Sequence, residues 1–302
     1  MIRSFFKHPK RSLVYFLDRH FRGLISDKTF LYEQYTDYMG EKPNLEHPQK
    51  FTEKILWMKL YGRNPAYTQM VDKYEVKKYV AEHIGQQYVI PAYGVWHNFD
   101  EIDFNQLPDQ FILKCNHDSG SYAICENKTT FDKEKARNIL SSALKKNFFW
   151  IFREWAYKNV DRRILAEQYI PTLGKRDSVE YKLMCFDGKV KSITICSGIP
   201  HQVSNPWNYD NYSRDWKRQD WHTINNKPTG KDFKKPAEMA EIIALSEKLS
   251  KGIPHVRVDW YIVDGQIYFS EFTFYPLSGY IKFEPKEWDL KIGKWMELPE
   301  RP

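Results

Sequence analysis

The sequence contains few cysteines, and these lack the spacing of disulfide frameworks or metal sites. Cys115, Cys125, Cys185 and Cys196 form no C-x-x-C pair, and no histidine stands at metal-ligand spacing from them. Isolated cysteines of this kind are typical of proteins that are kept reduced in the cytosol. We therefore expect free thiols and a cytoplasmic protein.

The sequence also lacks a long hydrophobic run near its start. In the first segment, MIRSFFKHPKRSLVYFLDRHFRGL, the longest uncharged stretch is SLVYFL. A signal-peptide core is longer than this, and a membrane span needs about 20 apolar residues. Because the segment is basic and amphipathic, two interpretations remain. It is either a helix that touches the inner membrane face or a surface helix packed on its own domain.

Acidic residues are fewer than basic ones. There are 39 Asp and Glu against 46 Lys and Arg, which gives a net charge of +7 and a pI near 8.9. This balance favours anionic partners such as nucleotides, acidic glycans, nucleic acids or membrane lipids. The positive residues are spread along the chain instead of forming one dense basic stretch. A non-catalytic binder of nucleic acid is therefore the weaker hypothesis, and we expect no nucleic-acid partner.

The order of the predicted elements indicates an α+β protein, with helices first and antiparallel hairpins interleaved with helices afterwards. The first 70 residues have the apolar spacing of helices, and a strand is expected near Tyr88–Ile90. The remaining expectations are one helix over FDKEKARNILSSALKKNFFWIFREW, a hairpin VEYKLMCFDGKVKSITIC turning at Asp187-Gly188, and a polar, Trp-rich loop from about 198 to 236.

A second predicted hairpin, HVRVDWYIVDGQIYFSEFT, carries charged residues inside apolar strands. A three-residue loop, Val263-Asp264-Gly265, would pair residues of equal parity and place Asp259 and Glu271 on one face. The same face would hold Arg257 and Thr273. Two adjacent carboxylates require a cation between them. Either Mg²⁺ with a phosphate fills that place, or Arg257 neutralises the pair as a structural salt bridge.

Isolated lysines in apolar strands point to an anionic ligand. In FILKCNHDSGS a strand ends at Lys114, and the turn Ser119-Gly120-Ser121 follows, where backbone N–H groups can hold phosphate. Lys182 stands inside the apolar strand VEYKLMCF, and a buried lysine requires an anionic partner. Lys73 is a weaker candidate, because Asp72 or a solvated helix face also explains it. An ordinary hairpin is the alternative interpretation of the Ser-Gly turn.

The strand ILAEQYI indicates a nucleotide-binding edge. Glu167 near the strand end can accept hydrogen bonds from a ribose, and the backbone of Gln168, Tyr169 and Ile170 can pair with an adenine edge. An ordinary strand exit with an exposed glutamate is the alternative.

Taken in order, these motifs resemble the ATP-grasp superfamily, and within it the TupA-like ATP-grasp proteins of bacterial polysaccharide gene clusters. The resemblance extends from about residue 43 to 297. It is carried by KFTEKILWMKLYGRNPAYTQMVDKYEVKKYV, LPDQFILKCNHDSGS, REWAYKNVDRRILAEQYI, LSKGIPHVRVDWYIVDGQIYFSEFTFYPLSG and FEPKEWDLKIGKW.

The resemblance implies two α+β lobes whose antiparallel sheets clamp ATP. We expect a helical segment at 1–70, an N-lobe with the lid turn at 71–165, and a C-lobe with the metal and substrate site at 166–302. The roles that the resemblance implies are phosphate contact for Lys114, Lys182 and Arg257, a lid for Ser119–Ser121, ribose contact for Glu167, and Mg²⁺ ligation for Asp259 and Glu271. Lys73 remains a candidate for nucleotide contact from its own sequence context. Thr273 stands where many ATP-grasp enzymes have asparagine, so its role as a third metal ligand is the weakest part of the set.

The activity implied is amide formation, in which ATP activates a carboxylate and an amine attacks the acylphosphate. The expected substrates are an amino acid and a uronic acid, or two amino acids, on a glycan precursor. Arg257 and Lys182 would stabilise the transferring phosphoryl group, and Ser278 in the turn Pro276–Gly279 would hold the substrate carboxylate. Aromatic residues of the polar loop either stack on sugar rings or pack locally; they are Trp207, Tyr209, Trp216 and Trp221. The alternative is a glycosyltransferase, although the sequence has no D-x-D motif.

Overall fold

The structure, a computed structural model, describes residues 9–170, 179–198 and 207–301 of the chain. The helices in these ranges are α1 (Pro9–His20), α2 (Asp27–Met39), α3 (Phe51–Tyr61), α4 (Ala66–Val71), α5 (Glu75–Ile84), α6 (Lys133–Leu144), α7 (Phe149–Phe152), α8 (Met239–Leu249) and α9 (Glu287–Gly293). Short 3₁₀ helices occur at Gln86–Tyr88, Phe99–Glu101, Trp155–Tyr157 and Pro276–Gly279. In the described part of the chain, each helix falls short of the length and apolar character needed to cross a bilayer.

The strands form antiparallel sheets, as the α+β prediction requires. They are β1 (Ala92–Trp96), β2 (Phe111–Cys115), β3 (Tyr122–Cys125), β4 (Ile164–Gln168), β5 (Val179–Phe186), β6 (Lys189–Ser197), β7 (Asn208–Ser213), β8 (His222–Thr223), β9 (Val256–Val263), β10 (Gln266–Thr273) and β11 (Phe283–Glu284). One sheet has the order β1-β4-β2-β3, a second has the order β10-β9-β5-β6-β7, and β11 pairs with β8. The domain boundary expected at 165/166 falls inside β4, which belongs to the first sheet.

Each large sheet has its own apolar core, because alternate residues of its strands point to one face. In the four-stranded sheet, Phe111 and Leu113 of β2 are fully buried and pack with Leu140 of α6. In the five-stranded sheet, Val258 and Trp260 of β9 are fully buried and belong to the main core of the molecule. The face of each sheet that points away from its core is therefore left for other contacts.

Three sequence expectations about elements are wrong. The strand expected near Tyr88–Ile90 begins at Ala92, after a 3₁₀ turn. The single helix expected over 131–155 is two helices, α6 and α7, separated at residues 145–148. The polar loop expected over 198–236 contains β7 and β8, although its residues 199–206 lie outside the described residues, as do residues 1–8 of the N-terminal segment.

The hairpin of β9 and β10 differs from the expected turn but reaches the expected arrangement of faces. Val263 pairs with Gln266, so the loop has two residues, Asp264 and Gly265, with φ of 52° and 78°. Both values are positive, as a type I′ turn requires. A β-bulge between Phe269 and Glu271 then inserts one extra residue and restores the parity that the short loop had lost.

The consequence of the bulge is that the charged residues face each other across the two strands. Glu271 pairs directly with Asp259, and Thr273 pairs directly with Arg257. The prediction of a three-residue turn is therefore wrong, but the two carboxylates do lie on one face of the hairpin.

Candidate active site

Two cavities join into one cleft between the four-stranded and five-stranded sheets. The hinge cavity is bounded by α5, β2, β4 and β10, and the central cavity by β2, β5 and β10. The two cavities share lining residues from both sheets; these are Lys73, Ile112, Lys114, Ile124, Tyr261 and Ser270. A ligand that enters this cleft therefore contacts both sheets.

The hinge cavity combines apolar walls with one buried carboxylate. The walls are formed by side chains such as Val76, Ile90 and Phe269, and Gln168, Tyr169 and Ile170 line the cavity beside Glu167. Glu167 is 4% exposed. Lys73, Lys77 and Lys114 also line this cavity. An apolar slot with charged groups at its edge suits a purine base and its ribose.

Glu167 is held by two lysines of neighbouring elements. Its Oε2 lies 2.9 Å from Lys77 Nζ, and its Oε1 forms a salt bridge with Lys114. Burial alone would raise the pKa of Glu167, but the two ammonium groups outweigh this effect and lower the pKa to about 2. The alternative interpretation, an ordinary strand exit with an exposed glutamate, does not fit this burial.

The backbone at the end of β4, beside Glu167, already forms hydrogen bonds within the protein. The Gln168 N–H donates to the Pro91 carbonyl at 2.9 Å, so this donor is not available to an adenine ring. The Tyr169 hydroxyl donates to Glu126 Oε1 at 2.6 Å. Pairing of a base with this edge would therefore use the backbone after Gln168.

The Ser-Gly turn lies at the central cavity and is tied to Lys73. Lys73 Nζ donates to the Asp118 carbonyl, and its backbone N–H donates to Asn116 O at 3.0 Å. Ser121 Oγ donates to Asp118 Oδ2 at 2.5 Å, and Gly120 has φ of 93°. Ser119 is exposed and lines the cavity. Burial lowers the pKa of Lys73, so a nearby anion would stabilise its charged form.

Strands β5, β9 and β10 bring two cations and three carboxylates together. Arg257 Nε and Nη2 donate to the two oxygens of Asp259 at 2.7 and 2.6 Å. Lys182 Nζ lies 2.8 Å from Asp259 Oδ2 and 2.5 Å from Glu180 Oε2. Arg257 Nη2 is also 3.0 Å from Thr273 Oγ1 and 3.6 Å from Glu271 Oε1. The cation between the paired carboxylates is therefore Arg257 in this structure.

The cluster is deeply buried, and its charges depend on one another. Burial would raise the pKa of Asp259, but Arg257 and Lys182 lower it below its usual range. Burial likewise opposes the charge on Lys182, and Asp259 and Glu180 raise the Lys182 pKa well above its usual value. Glu271 differs from Asp259, because its side chain is 41% exposed toward the cleft.

The residues present fit Mg²⁺ bound together with a phosphate more closely than Mg²⁺ bound by protein alone. Among the described residues, groups of three or more His, Cys, Asp or Glu with metal-binding geometry do not occur. Mg²⁺ commonly takes one or two carboxylates and completes its shell with phosphate and water. Asp259 and Glu271 supply such a pair, provided that Arg257 moves its hydrogen bonds from Asp259 to another acceptor.

The turn after β10 does not place Ser278 as the sequence predicted. Ser278 is 7% exposed and its Oγ donates to Glu154 Oε1, so its hydroxyl is committed to a protein carboxylate instead of a substrate. Its carbonyl accepts from Lys59 Nζ at 2.7 Å. Leu277, which precedes it, is 53% exposed. Both Leu277 and Ser278 have positive φ, of 45° and 55°.

Three charged residues at the cleft or at the turn after β10 were missed by sequence reasoning, although each left a signal. Lys77 is four positions after Lys73, the spacing that would place two side chains on one helix face, although α5 begins only at Glu75. Glu180 is two positions before Lys182 and shares its strand face. Lys59 interrupts the apolar run ILWMKLY, and burial lowers its pKa to about 7, against the opposing effect of Glu154.

The aromatic residues of the expected polar loop divide into two groups. Trp216 stacks on Tyr212 with ring centroids 4.9 Å apart, and Trp221 packs edge-on against Phe283 at 5.6 Å. Local packing explains Trp216, whereas Trp221 also lines a cavity beside Arg257. Trp207 lines the central cavity, and Tyr209 lines a further cavity beside Arg257.

Comparison with solved structures finds ligases at low similarity. D-alanine–D-alanine ligase from Bacillus anthracis, complexed with ATP, is 18% identical with a TM-score of 0.39, over 68% of this chain and 55% of that one. L-amino acid ligase from Bacillus licheniformis is 11% identical with a TM-score of 0.44, over 98% and 65%. D-alanine–D-alanine ligase from Helicobacter pylori is 14% identical with a TM-score of 0.42, over 84% and 68%.

This chain thus spans 55% to 68% of the length of those three proteins. No curated protein matches it. A scan against protein-family models matches residues 53–297 to the family described as TupA-like ATPgrasp. That range contains the cleft, its lysines and the paired carboxylates, and it covers most of the sequence. The chain therefore belongs to the TupA-like ATP-grasp family.

Proposed function

We propose that this chain is an ATP- and Mg²⁺-dependent ligase that joins a carboxylate to an amine through an acylphosphate. The observation that carries the proposal is the cleft between the two sheets, which has an apolar slot at one end and Lys182 and Glu271 at the other. Asp259 and Arg257 lie behind these two residues, bonded to Lys182 and paired with Glu271 respectively. Membership of the ATP-grasp family supports the same activity.

The proposed roles follow the positions of the side chains in the cleft. The hinge cavity binds adenine and ribose, with Glu167 at the ribose. Lys73, Lys114 and the turn Ser119–Ser121 contact the phosphates from one sheet, and Lys182 and Arg257 contact them from the other. Asp259 and Glu271 hold Mg²⁺, with Thr273 beside them. When bound, the metal neutralises phosphate charge and polarises the transferring phosphoryl group.

The reaction has two steps. A carboxylate oxygen of the substrate attacks the γ-phosphorus of ATP, and the bond from this phosphorus to the β,γ-bridging oxygen breaks, so that ADP leaves. The amine nitrogen then attacks the acyl carbon, the carbon–oxygen bond to phosphate breaks, and the nitrogen loses a proton. Both steps bring anions together, so positioning and charge neutralisation by Lys182 and Arg257 are the main contributions that the protein must make.

The proposed substrates are an amino acid and a uronic acid, or two amino acids, on a bacterial cell-surface glycan precursor. The likeness of the motifs to TupA-like proteins of polysaccharide gene clusters supports this assignment. The lobes at 71–165 and 166–302 remain part of the proposal, with β4 straddling their boundary.

We also propose that α1 contacts the inner membrane face from the cytoplasm. Four large apolar side chains in and just after this basic helix are exposed; they are Leu13, Phe16, Phe21 and Leu24. Co-sedimentation with vesicles that contain anionic lipid tests the contact, and failure to sediment at low salt would remove it.

The ligase activity is tested by measuring ADP release with ATP, Mg²⁺, a carboxylate and an amine. ADP should appear only when a carboxylate is present, and the amine should end in an amide. Glu271→Gln should lower kcat on the order of 100-fold with a smaller loss of ATP affinity, because metal ligation matters most as the phosphoryl group moves. Glu287→Gln, an exposed change in α9, is the matched control.

Two results would contradict the proposal. Sugar transfer from a nucleotide-sugar without ATP would identify a glycosyltransferase instead. Full activity of Glu271→Gln would exclude this carboxylate as a metal ligand.

A further inference from the structure

A third cavity adjoins the central cavity at Lys182, and its lining is mostly apolar. This turn cavity lies between β5, β6, β7 and the turn Pro276–Gly279, and has a volume of about 70 Å³. Its apolar walls are Met184, Tyr209, Trp221, Leu277, Ile281 and Phe283. Lys182 and Arg257 line it too, and in this structure both cations are bonded to Asp259, so an anionic ligand would compete with that carboxylate for them.

The threonine hydroxyls in the turn cavity already donate to the protein. Thr194 Oγ1 donates to Asn211 Oδ1 at 2.6 Å, and Thr223 Oγ1 donates to Asn226 Oδ1 at 3.2 Å. A sugar ring carries several hydroxyl groups, and each would lose water on entry and need a new partner. Sites that select hydroxylated ligands present free hydrogen-bonding groups for them. The lining therefore favours an apolar body with one anionic end.

We propose that the turn cavity binds the side chain of the carboxylate substrate, and that this substrate is an α-amino acid with an aliphatic or aromatic side chain. Its carboxylate lies at Arg257 and Lys182, next to the γ-phosphate end of the cleft. This assignment rests on the proposed function. It makes the amino acid the phosphorylated partner, so a uronic acid is not the group that ATP activates. The acylphosphate then forms on the amino-acid carboxylate, with ADP as the leaving group.

The test measures ADP release with ATP and Mg²⁺ for glycine, L-alanine, L-valine, L-leucine, L-phenylalanine and D-glucuronate. Hydroxylamine is present as the amine, so that any acylphosphate ends as a hydroxamate and phosphate. We expect kcat/KM to rise about fourfold for each carbon added from glycine to leucine, the equivalent of ~0.8 kcal/mol per buried methylene. D-Glucuronate should be a poorer substrate than leucine.

A variant at the cavity mouth distinguishes loss of side-chain binding in the cavity from a loss of activity that is the same for every substrate. Leu277→Asn introduces a residue that tolerates the positive φ of this position, and it makes the cavity wall polar. It should lower kcat/KM for leucine at least tenfold more than kcat/KM for glycine. Leu290→Asn is the matched control, because Leu290 is 44% exposed on α9, outside the cavity lining. ATP affinity, measured by calorimetry, should be the same in both variants.

The outcomes distinguish the two proposals. Turnover with D-glucuronate that exceeds turnover with leucine would overturn the side-chain assignment and leave the ligase intact. Equal losses for leucine and glycine in Leu277→Asn would also overturn it. ATP binding without ADP release for every carboxylate tested would overturn the ligase proposal, and this assignment with it.

Discussion

At the residue scale, Glu167 shows how a buried carboxylate can be kept ionised. Removing a carboxylate from water is costly, and the cost is offset only when cations and hydrogen bonds replace the lost hydration. Lys77 and Lys114 provide that replacement at the floor of the hinge cavity. A nucleotide that enters can exchange partners with them, since its phosphates can take the lysines while its ribose takes the carboxylate.

The ionised form of Glu167 should contribute to folding stability in a defined pH range. Its folded pKa, about 2, lies below its ordinary value of 4.5, so the contribution is present above pH 4.5 and is lost as the pH falls through 2. In Glu167→Gln this contribution is absent at every pH. The free-energy gap of unfolding between wild type and Glu167→Gln should therefore shrink by about 2 kcal/mol from pH 5 to pH 3.

Urea denaturation at a series of pH values measures this gap. Glu82→Gln is the control, because Glu82 is 58% exposed and 3.9 Å from Lys78, a surface pair that contributes little. A gap that stays constant between pH 5 and pH 3 would mean that Glu167 is not held by its lysines in solution.

At the element scale, the hairpin of β9 and β10 shows what alternation alone can predict. Charged residues at every second position of β9 indicated a polar face, and Arg257 and Asp259 do share one. The predicted three-residue turn was wrong, because Asp-Gly suits a two-residue type I′ loop. The bulge at Ser270, which compensates for the shorter loop, cannot be recognised from the alternation of residues along the strand. Bulges depend on pairing with a neighbouring strand, which a single strand's sequence does not contain.

Strand β7 was missed for a different reason. Its sequence, NYDNYS, is polar and was interpreted as loop, yet Asp210 and Asn211 are buried. Asp210 accepts from Arg218 and Thr229, and Asn211 bonds to Thr194 and the Trp221 carbonyl. These partners come from outside the strand, so only the tertiary structure makes the burial of such residues acceptable.

The turn Pro276–Gly279 gives a prediction about how one element is fixed in place. Ser278→Ala removes the hydroxyl that donates to buried Glu154 and should lower the free energy of unfolding by about 1–3 kcal/mol. Ser278→Gly loses the same bond but relieves the positive φ of 55°, so it should recover about 1 kcal/mol of that loss. Thermal and urea denaturation of both variants measure the difference. Wild-type stability in Ser278→Ala would refute the role of this hydrogen bond.

At the scale of the whole molecule, the cleft has cations on both of its sides. Lys114 stands on the four-stranded sheet and Lys182 on the five-stranded sheet, and each is paired with carboxylates of its own sheet. The sequence indicated these lysines because each interrupts an apolar strand. It could not indicate that they face one cleft, because that depends on how the two sheets pack. Lys59 and Glu154 were missed for the same reason, since they come together only through tertiary contacts with the turn.

A nucleotide that spans both sheets should depend on both lysines. Lys114→Ala and Lys182→Ala should each weaken ATP binding by about 10- to 100-fold, since a hydrogen bond to a charged group contributes roughly 1.5–3 kcal/mol. Lys78→Ala is the matched control, because Lys78 lies on the same helix as Lys77 but is 72% exposed. Calorimetry with Mg²⁺ and ATP measures all three affinities, and circular dichroism checks that each variant is folded. Loss in only one lysine variant would place the nucleotide on a single sheet, and wild-type affinity in both would show that the phosphates bind elsewhere.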